Sequence, residues 1–150
     1  MSAVTQAPTL LRTDTPVVGV HGGAGTTTLC RWLGSTATDH GLQLPEWDGR
    51  PLVLVSSGTA AGLARSTALV ASLVTRPLAV RLLLAVVADS AAPEPAIVRA
   101  RVRALSPALA GVVRVPYVEA WRYVDDPLGR PAPGTYLRAL RQLARGVHHA

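Results

Sequence analysis

One stretch constrains the fold of this chain more than any other. Residues Val17 to Leu29 have the sequence Val-Val-Gly-Val-His-Gly-Gly-Ala-Gly-Thr-Thr-Thr-Leu. A short β-branched run leads into three glycines within four residues, and three threonines then precede an apolar segment. This pattern predicts a strand, a tight glycine loop and a helix N-terminus, where the backbone approaches a ligand closely and the first N–H groups favour an anion. A nucleotide phosphate is the anion that we expect there.

The cation that such loops carry is missing. The standard phosphate loop, G-x-x-x-x-G-K-[ST], holds phosphate oxygens with backbone N–H groups, reaches the β- and γ-phosphates with its lysine and binds Mg²⁺ with its hydroxyl. This chain has no lysine, and all 15 of its basic residues are arginine. The loop therefore predicts the shape of a phosphate site without its positive charge.

The loop resembles the deviant phosphate loop of the ParA/MinD family of ATPases, whose core is K-G-G-x-G-K-T-T. Five positions match that core, namely Gly22, Gly23, Gly25, Thr27 and Thr28. His21 stands at the family's signature lysine and Thr26 at its phosphate-binding lysine. The loop is also similar to the G-V-H-G-G-A-G loop of small actinobacterial proteins.

The resemblance implies a site for ATP or GTP with Mg²⁺. Its cofactor-binding residues would be His21, Gly22, Gly23, Ala24, Gly25, Thr26, Thr27 and Thr28, with Thr27 as the metal ligand. Weaker similarity extends over the apolar runs Leu52–Gly58, Leu82–Asp89 and Gly111–Tyr117. It places Asp89, Pro116 and Tyr117 near the base, although the family usually offers an asparagine where this chain has Ala88-Asp89.

Acidic residues that organise Mg²⁺ and water are not evident. The ParA/MinD family has two strands between its first helix and the strand that resembles Leu52–Val55, and those strands carry aspartates. Here the connection is short, and neither Asp39 nor Asp48 follows an apolar strand. Because phosphoryl transfer depends on charge neutralisation and positioning, we expect no catalytic residues and no efficient hydrolysis.

Several functions remain open at this point. One is a degenerate ParA/MinD-like module that binds a nucleotide or regulates a partner. A second is a scaffold subunit in which the loop serves only as a strand-to-helix turn. Another is an ATPase whose missing charge comes from a partner or a second subunit. A dehydrogenase interpretation of Gly19, Gly23 and Gly25 requires a catalytic tyrosine and lysine, and the lysine is absent.

The whole chain predicts an α/β fold, a reduced three-layer sandwich of P-loop NTPase type. Apolar runs at 17–20, 52–55, 81–88 and 112–115 predict about four parallel strands, with a short edge strand at 42–44. Helices are expected at 25–37, 59–75, after Pro95 and at 135–146. Residues 1–16 are predicted to be a flexible arm, and residues 17–150 a single domain.

Two surfaces suggest partners. The helix predicted at 59–75 has Arg65 as its only charge and places Ala60, Ala64, Ala68 and Ala71 on one side. We expect that side to pack within the subunit, or against a second copy or another protein. Arg138, Arg141 and Arg145 share a helix face in a chain of net charge +6, so DNA is another candidate partner.

The apolar segments predict no membrane span. The longest run, Leu78–Ala88, is interrupted by Arg81 and is too short to cross a bilayer. The N-terminus has no signal-peptide pattern, and the single cysteine, Cys30, suits a reducing compartment. We therefore expect a cytoplasmic protein.

Overall fold

The computed structural model describes residues 10–46, 48–76, 81–123, 126–129 and 131–150. These residues form one five-stranded sheet in the order β2-β1-β3-β4-β5. All four neighbouring pairs are parallel. The strands are β1 (Thr15–Gly19), β2 (Ala37–Asp39), β3 (Leu52–Ser57), β4 (Leu82–Val87) and β5 (Gly111–Val115).

The connections between strands carry the helices of an α/β sandwich. The four α-helices are α1 (Thr26–Leu33), α2 (Ala60–Val74), α3 (Ala96–Leu105) and α4 (Gly134–His149). Short 3₁₀ turns lie at Ser106–Ala108, Glu119–Tyr123 and Pro127–Gly129. Helices α1 and α4 contribute to one hydrophobic cluster, and α2 and α3 to the other. The α/β class with a parallel sheet is thereby confirmed.

The central strands are continuous apolar runs because both of their faces are covered. Val53 and Val55 belong to the cluster under α1 and α4, whereas Leu52 and Leu54 belong to the cluster under α2 and α3. β4 alternates in the same way. This burial holds the carboxyl ends of β1, β3, β4 and β5 at one rigid edge.

Besides the four predicted strands, the sheet of the described residues contains one short edge strand. The additional strand is β2, whose Ala37 and Asp39 are in register with Thr15 and Val17 of β1. The edge strand expected at 42–44 was therefore placed too late along the chain. Gly34, at φ 100°, ends α1 four residues before the predicted Ala37, and the chain turns directly into β2.

The N-terminal arm predicted for residues 1–16 lies outside the described residues up to residue 9. Beyond that point the chain is packed: Leu11 is 2% exposed, and its carbonyl accepts a hydrogen bond from Thr36 Oγ1 at 2.8 Å. Strand β1 begins at Thr15, two residues before the predicted start at Val17.

Among the described residues, no helix combines the length and apolar character needed to cross a membrane.

Candidate functional site

The candidate site lies at the carboxyl edge of the sheet, where β1 and β3 are neighbours. The chain leaves β1 for α1 on one face and leaves β3 for α2 on the opposite face. Adjacent parallel strands whose following helices diverge in this way open a crevice between them, which is where open α/β sheets bind ligands. The glycine loop after β1 and residues Ser57 to Thr59 after β3 flank this crevice.

The loop needs glycine at two positions for conformational reasons. Gly23 and Gly25 have φ angles of 77° and 93°, in the left-handed region that other residues rarely adopt. Gly22 differs, since its φ is not positive and a Cβ there would meet no atom within 4 Å. A side chain at Gly22 would therefore extend into open space above the loop.

Thr26, at the position of the phosphate-binding lysine, packs against the end of β1. A Cβ on Gly19 would lie 2.5 Å from Thr26 Oγ1, which is closer than such atoms can approach. A side chain at Gly19 would therefore force Thr26 into another rotamer or move the start of α1 away from the strand.

The start of α1 presents free donors. Gly25 occupies the N-cap position without a side-chain cap, and the backbone N–H groups of residues 25–28 have no hydrogen-bond acceptor within the described part of the chain. They border a cleft of about 400 Å³, here called the loop cleft, lined by residues 21–28 and by Asp39, Gly41 and Leu42. Asp39 is the only carboxylate or arginine among these lining residues.

His21, at the signature-lysine position, bridges the loop to β3. Its Nε2 accepts a hydrogen bond from the backbone N–H of Ser57 at 3.1 Å, and its Nδ1 lies 2.8 Å from the carbonyl oxygen of Gly22. A backbone N–H can only donate, so Nε2 is the acceptor and Nδ1 carries the proton that it donates to Gly22. In this arrangement His21 is a neutral imidazole with both nitrogens bonded within the chain.

The bridge continues into the first turn of α2. Ser57 Oγ lies 2.9 Å from His21 Nε2 and 2.8 Å from Thr59 Oγ1. Thr59 Oγ1 also accepts the N–H of Gly62 at 3.0 Å, which caps α2. His21, Ser57 and Thr59 line a neighbouring cleft of about 440 Å³ together with Arg65.

Asp39 is a site residue that the sequence analysis did not assign. It ends β2 beside the loop, where its Oδ2 accepts a hydrogen bond from Thr27 Oγ1 at 3.1 Å and its Oδ1 accepts one from the N–H of Gly41 at 2.8 Å. Asp39 does not follow an apolar strand, as expected, but it ends β2, a polar edge strand that the sequence analysis did not predict at this place. The sequence feature that could have indicated strand β2 is the pair of glycines that flank it, Gly34 and Gly41, both of which have positive φ angles.

Asp48 has a structural role instead. Its Oδ2 lies 2.5 Å from Arg50 Nε, and Arg50 Nη1 lies 2.8 Å from Asp14 Oδ2. These three residues join the connection before β3 to the residue preceding β1. Asp48 does not line the loop cleft.

A second cleft of about 280 Å³, here called the aromatic cleft, adjoins the first. Gly25 and Thr28 line both clefts, and Asp89, Pro116 and Tyr117 line the second. The structure thus brings both groups of predicted site residues to adjoining clefts.

Aromatic rings form one wall of the aromatic cleft. Trp121 and Tyr136 line it, with their ring centroids 4.6 Å apart in an edge-to-face arrangement. Trp32 stacks on Trp121 at 5.6 Å. Tyr136 is 3% exposed, and burial raises the pKa of its hydroxyl. Sequence reasoning missed Tyr136, because only the packing of α4 beside α1 places it in the cleft.

A further cleft of about 430 Å³ lies on the other side of Asp89 and Pro116. Arg138 lines it, whereas Arg141 and Arg145 do not; all three side chains are exposed. The face predicted to contact DNA is therefore accessible, and DNA binding stays a prediction.

No cluster of three or more His, Cys, Asp or Glu residues suited to a metal occurs in the described ranges. The hydroxyl of Thr27 and the carboxylate of Asp39 are the neighbouring oxygen donors at the loop. Magnesium keeps several water ligands and takes phosphate oxygens beside one or two protein oxygens, so this pair fits a nucleotide-bound Mg²⁺.

Comparison with known proteins gives a family but no activity. No curated protein and no solved structure matches the chain. Residues 14–146 match the model of a family described as "Family of unknown function (DUF6668)". That match spans nearly all of the described residues and includes every residue of the candidate site. The chain therefore belongs to DUF6668, a family of unknown function.

Proposed function

We propose that this chain is a ParA/MinD-like P-loop protein that binds a nucleotide without hydrolysing it efficiently and acts as a regulatory or interaction module. The observation that carries the proposal is the junction of the loop cleft and the aromatic cleft at Gly25 and Thr28. One cleft suits phosphates and the other suits a planar base, and a nucleotide has these two parts covalently joined.

The phosphate end rests on the donors at the start of α1. The N–H groups of residues 25–28 point out of the first turn of a helix, whose dipole favours an anion at this end. Gly22 adds no side chain to the cleft, so phosphate oxygens can approach the backbone.

The base end rests on the shape of the aromatic cleft. Tyr117 and Trp121 are half-buried and line the space between Pro116 and the start of α1, while Tyr136 is buried beside Trp121 and supports its ring. Stacking on aromatic rings contributes about 1–3 kcal/mol per base in nucleic-acid-binding proteins. Such a contribution offsets part of the phosphate affinity that is lost with the lysine.

Magnesium has a defined place in this proposal. Thr27 and Asp39 would hold the ion, which supplies positive charge next to the phosphates when it is bound. Because no arginine is among the described residues that line the loop cleft, these residues offer little neutralisation there. We therefore expect nucleotide affinity to depend on Mg²⁺, and Asp39→Asn to weaken that dependence.

The loop lacks most of the positive charge that usually accelerates nucleotide hydrolysis. His21 is held as a neutral bridge and Thr26 packs on β1, so neither residue replaces a lysine. Phosphoryl transfer depends on such charges for much of its acceleration. Turnover that appears only with a partner, and that is lost when a partner arginine is removed, would favour an ATPase completed in trans instead.

The test is equilibrium titration of the full chain with fluorescent ATP and GTP analogues, with and without Mg²⁺, beside a phosphate-release assay. We expect saturable binding with Mg²⁺ and no steady release of phosphate. Gly22→Asp should abolish binding at an unchanged melting temperature, since its side chain extends into open space and repels phosphate.

Gly134→Asp is the matched control for Gly22→Asp. Gly134 also has a φ that is not positive and open space where a Cβ would stand, and it begins α4 away from the loop cleft. The control should bind like the parent chain. Equal binding by the Gly22→Asp variant, or no nucleotide binding by the parent chain, contradicts the proposal.

Exposure of one side of α2 favours a second candidate role, docking of another protein or a second copy. Leu63 and Val70 are buried, whereas four small residues of the other side are exposed, namely Ala60, Ala64, Ala68 and Ala71. Val74 is 53% exposed at the end of this helix. Sedimentation of the parent chain and of Ala68→Arg tests self-association: a strict monomer at high concentration excludes a second copy as the partner.

A further inference from the structure

We propose that the aromatic cleft selects guanine over adenine, through the carboxylate of Asp89. This inference rests on the proposed nucleotide-binding function and assigns the class of base. It concerns a residue that stands where the ParA/MinD resemblance leads one to expect an asparagine.

The aromatic cleft contains one negatively charged side chain among its described lining residues. Asp89 is the only charged side chain among the described residues that line the aromatic cleft. An ionised carboxylate accepts hydrogen bonds and donates none, so the cleft favours a base edge that presents donors. Guanine presents two adjacent donors, N1–H and N2–H₂, which a carboxylate can accept together.

The other common bases fit this carboxylate less well. Adenine and cytosine each present one amino group beside an unprotonated ring nitrogen, whose lone pair would face an acceptor. Uracil presents one N–H between two carbonyl oxygens. Asp89 is exposed, so the discrimination comes from repulsion between its carboxylate and the lone pair of an acceptor on the base, and not from a buried group left unpaired.

The position of Asp89 is a further argument. Asp89 is the second residue after β4, and the N–H of Ala88 before it donates to the carbonyl of Val115 at 2.9 Å, which ties this segment to the end of β5. Within the described chain the Asp89 carboxylate takes part in no ion pair or side-chain hydrogen bond. Its acceptors are therefore available to a ligand.

Among the described residues, Arg114 and Arg138 line one further cleft together with Asp89, but neither forms an ion pair with its carboxylate. Arg114 Nε lies 3.1 Å from Glu94 Oε1, and both residues line the cleft on the far side of Asp89. Arg138 also lines that far cleft and not the aromatic cleft. The aromatic cleft thus combines stacking rings with one negative charge, and its preference is for a planar ring that donates.

The experiment is calorimetric titration of the full chain with GDP, ADP and XDP in the presence of Mg²⁺. Diphosphates avoid any contribution from turnover. We expect GDP to bind at least about tenfold more tightly than ADP, the ratio typical of one charge-assisted hydrogen-bonded contact.

Asp89→Asn provides a gain-of-function arm. Xanthine has a carbonyl where guanine has its amino group, and an asparagine amide can donate to that carbonyl. The variant should bind GDP at least about tenfold more weakly and XDP more tightly than the parent chain does. Glu119→Gln, which removes a carboxylate in the exposed turn beside the cleft, is the control and should leave all three affinities unchanged.

The outcomes separate this inference from the function on which it rests. Equal affinities for GDP and ADP, or an Asp89→Asn variant that binds GDP like the parent chain, overturn guanine selection and leave nucleotide binding intact. Absence of binding for all three diphosphates overturns both proposals.

Discussion

At the residue scale, His21 and Thr26 stand at the two positions where the ParA/MinD loop, which this loop resembles, has lysines. His21 uses both ring nitrogens within the chain, on Gly22 and Ser57. Thr26 uses its side chain to hold α1 against Gly19. Both residues therefore stabilise the loop, and neither supplies charge to it.

A double substitution tests the contact between Thr26 and Gly19. Gly19→Ala should destabilise the protein by about 1–3 kcal/mol, because the new methyl group would overlap Thr26 Oγ1. Thr26→Ala removes that oxygen, so the Gly19→Ala/Thr26→Ala pair should recover most of the loss. Urea unfolding of the four chains in this cycle measures the coupling. Additive losses would show that another contact excludes a side chain at Gly19.

Some of these site residues could be predicted from the sequence, but the contacts of others could not. Gly23 and Gly25 were predictable, because a backbone in the left-handed region strongly favours glycine at that position. The partners of His21 and Asp39 were not, because those contacts join segments that only the folded sheet brings together. The hydrogen bond between His21 and Ser57 joins residues that are 36 positions apart in the sequence. The hydrogen bond between Thr27 and Asp39 joins residues that are 12 positions apart.

At the element scale, α2 is positioned on the end of β3 by Gly62. A Cβ at Gly62 would lie 2.7 Å from the carbonyl oxygen of Ser57 and 2.6 Å from its Oγ. The backbone oxygen cannot rotate away as a side chain can. The close approach of this helix to the strand therefore requires glycine.

Substitution of Gly62 tests this packing. Gly62→Ala should cost about 2 kcal/mol or more, since the helix must shift from the strand. Gly134→Ala is the control: it has open space, and alanine is a better helix former than glycine, so stability should be unchanged or slightly higher. Thermal unfolding compares the two variants. Equal melting temperatures for Gly62→Ala and the parent chain would contradict the account of α2.

The connection before β3 is held by an ion network whose strength depends on pH. The pKa of Asp14 is lowered from its usual value of 3.8 by hydrogen bonds from Thr38 and Arg50, with a smaller contribution from His40. A carboxyl whose pKa is lower in the folded chain stabilises the fold above its unfolded pKa. That stabilisation is lost as the pH falls through the folded pKa.

Asp14→Asn should therefore lose less stability than the parent chain when the pH is lowered from 7 to about 3. The effect is small, because both partners are partly exposed. Urea unfolding at the two pH values gives the difference, and Glu119→Gln serves as the charge-matched control. Parallel losses in the parent chain and Asp14→Asn would exclude this network as a source of acid sensitivity.

At the scale of the whole molecule, apolar runs were sufficient to predict the class and most of the sheet. Strands β3 and β4 are buried on both faces, so their burial is evident in the sequence as continuous runs such as Leu52–Val55. Strand β2 was not predicted, because an edge strand at the surface does not need a continuous apolar run. The resulting order places β1 between β2 and β3, and thereby sets both Asp39 and Ser57 beside the glycine loop.

The central claim is that the loop keeps the shape of a phosphate site while lacking its charge. Its most direct test is to restore the lysine: nucleotide affinity is measured for Thr26→Lys and for Thr67→Lys, which adds the same charge on the exposed side of α2. We expect Thr26→Lys to bind nucleotide at least about tenfold more tightly than the parent chain, and Thr67→Lys to bind it equally. A folded Thr26→Lys variant whose affinity is no greater than that of Thr67→Lys would contradict the central claim.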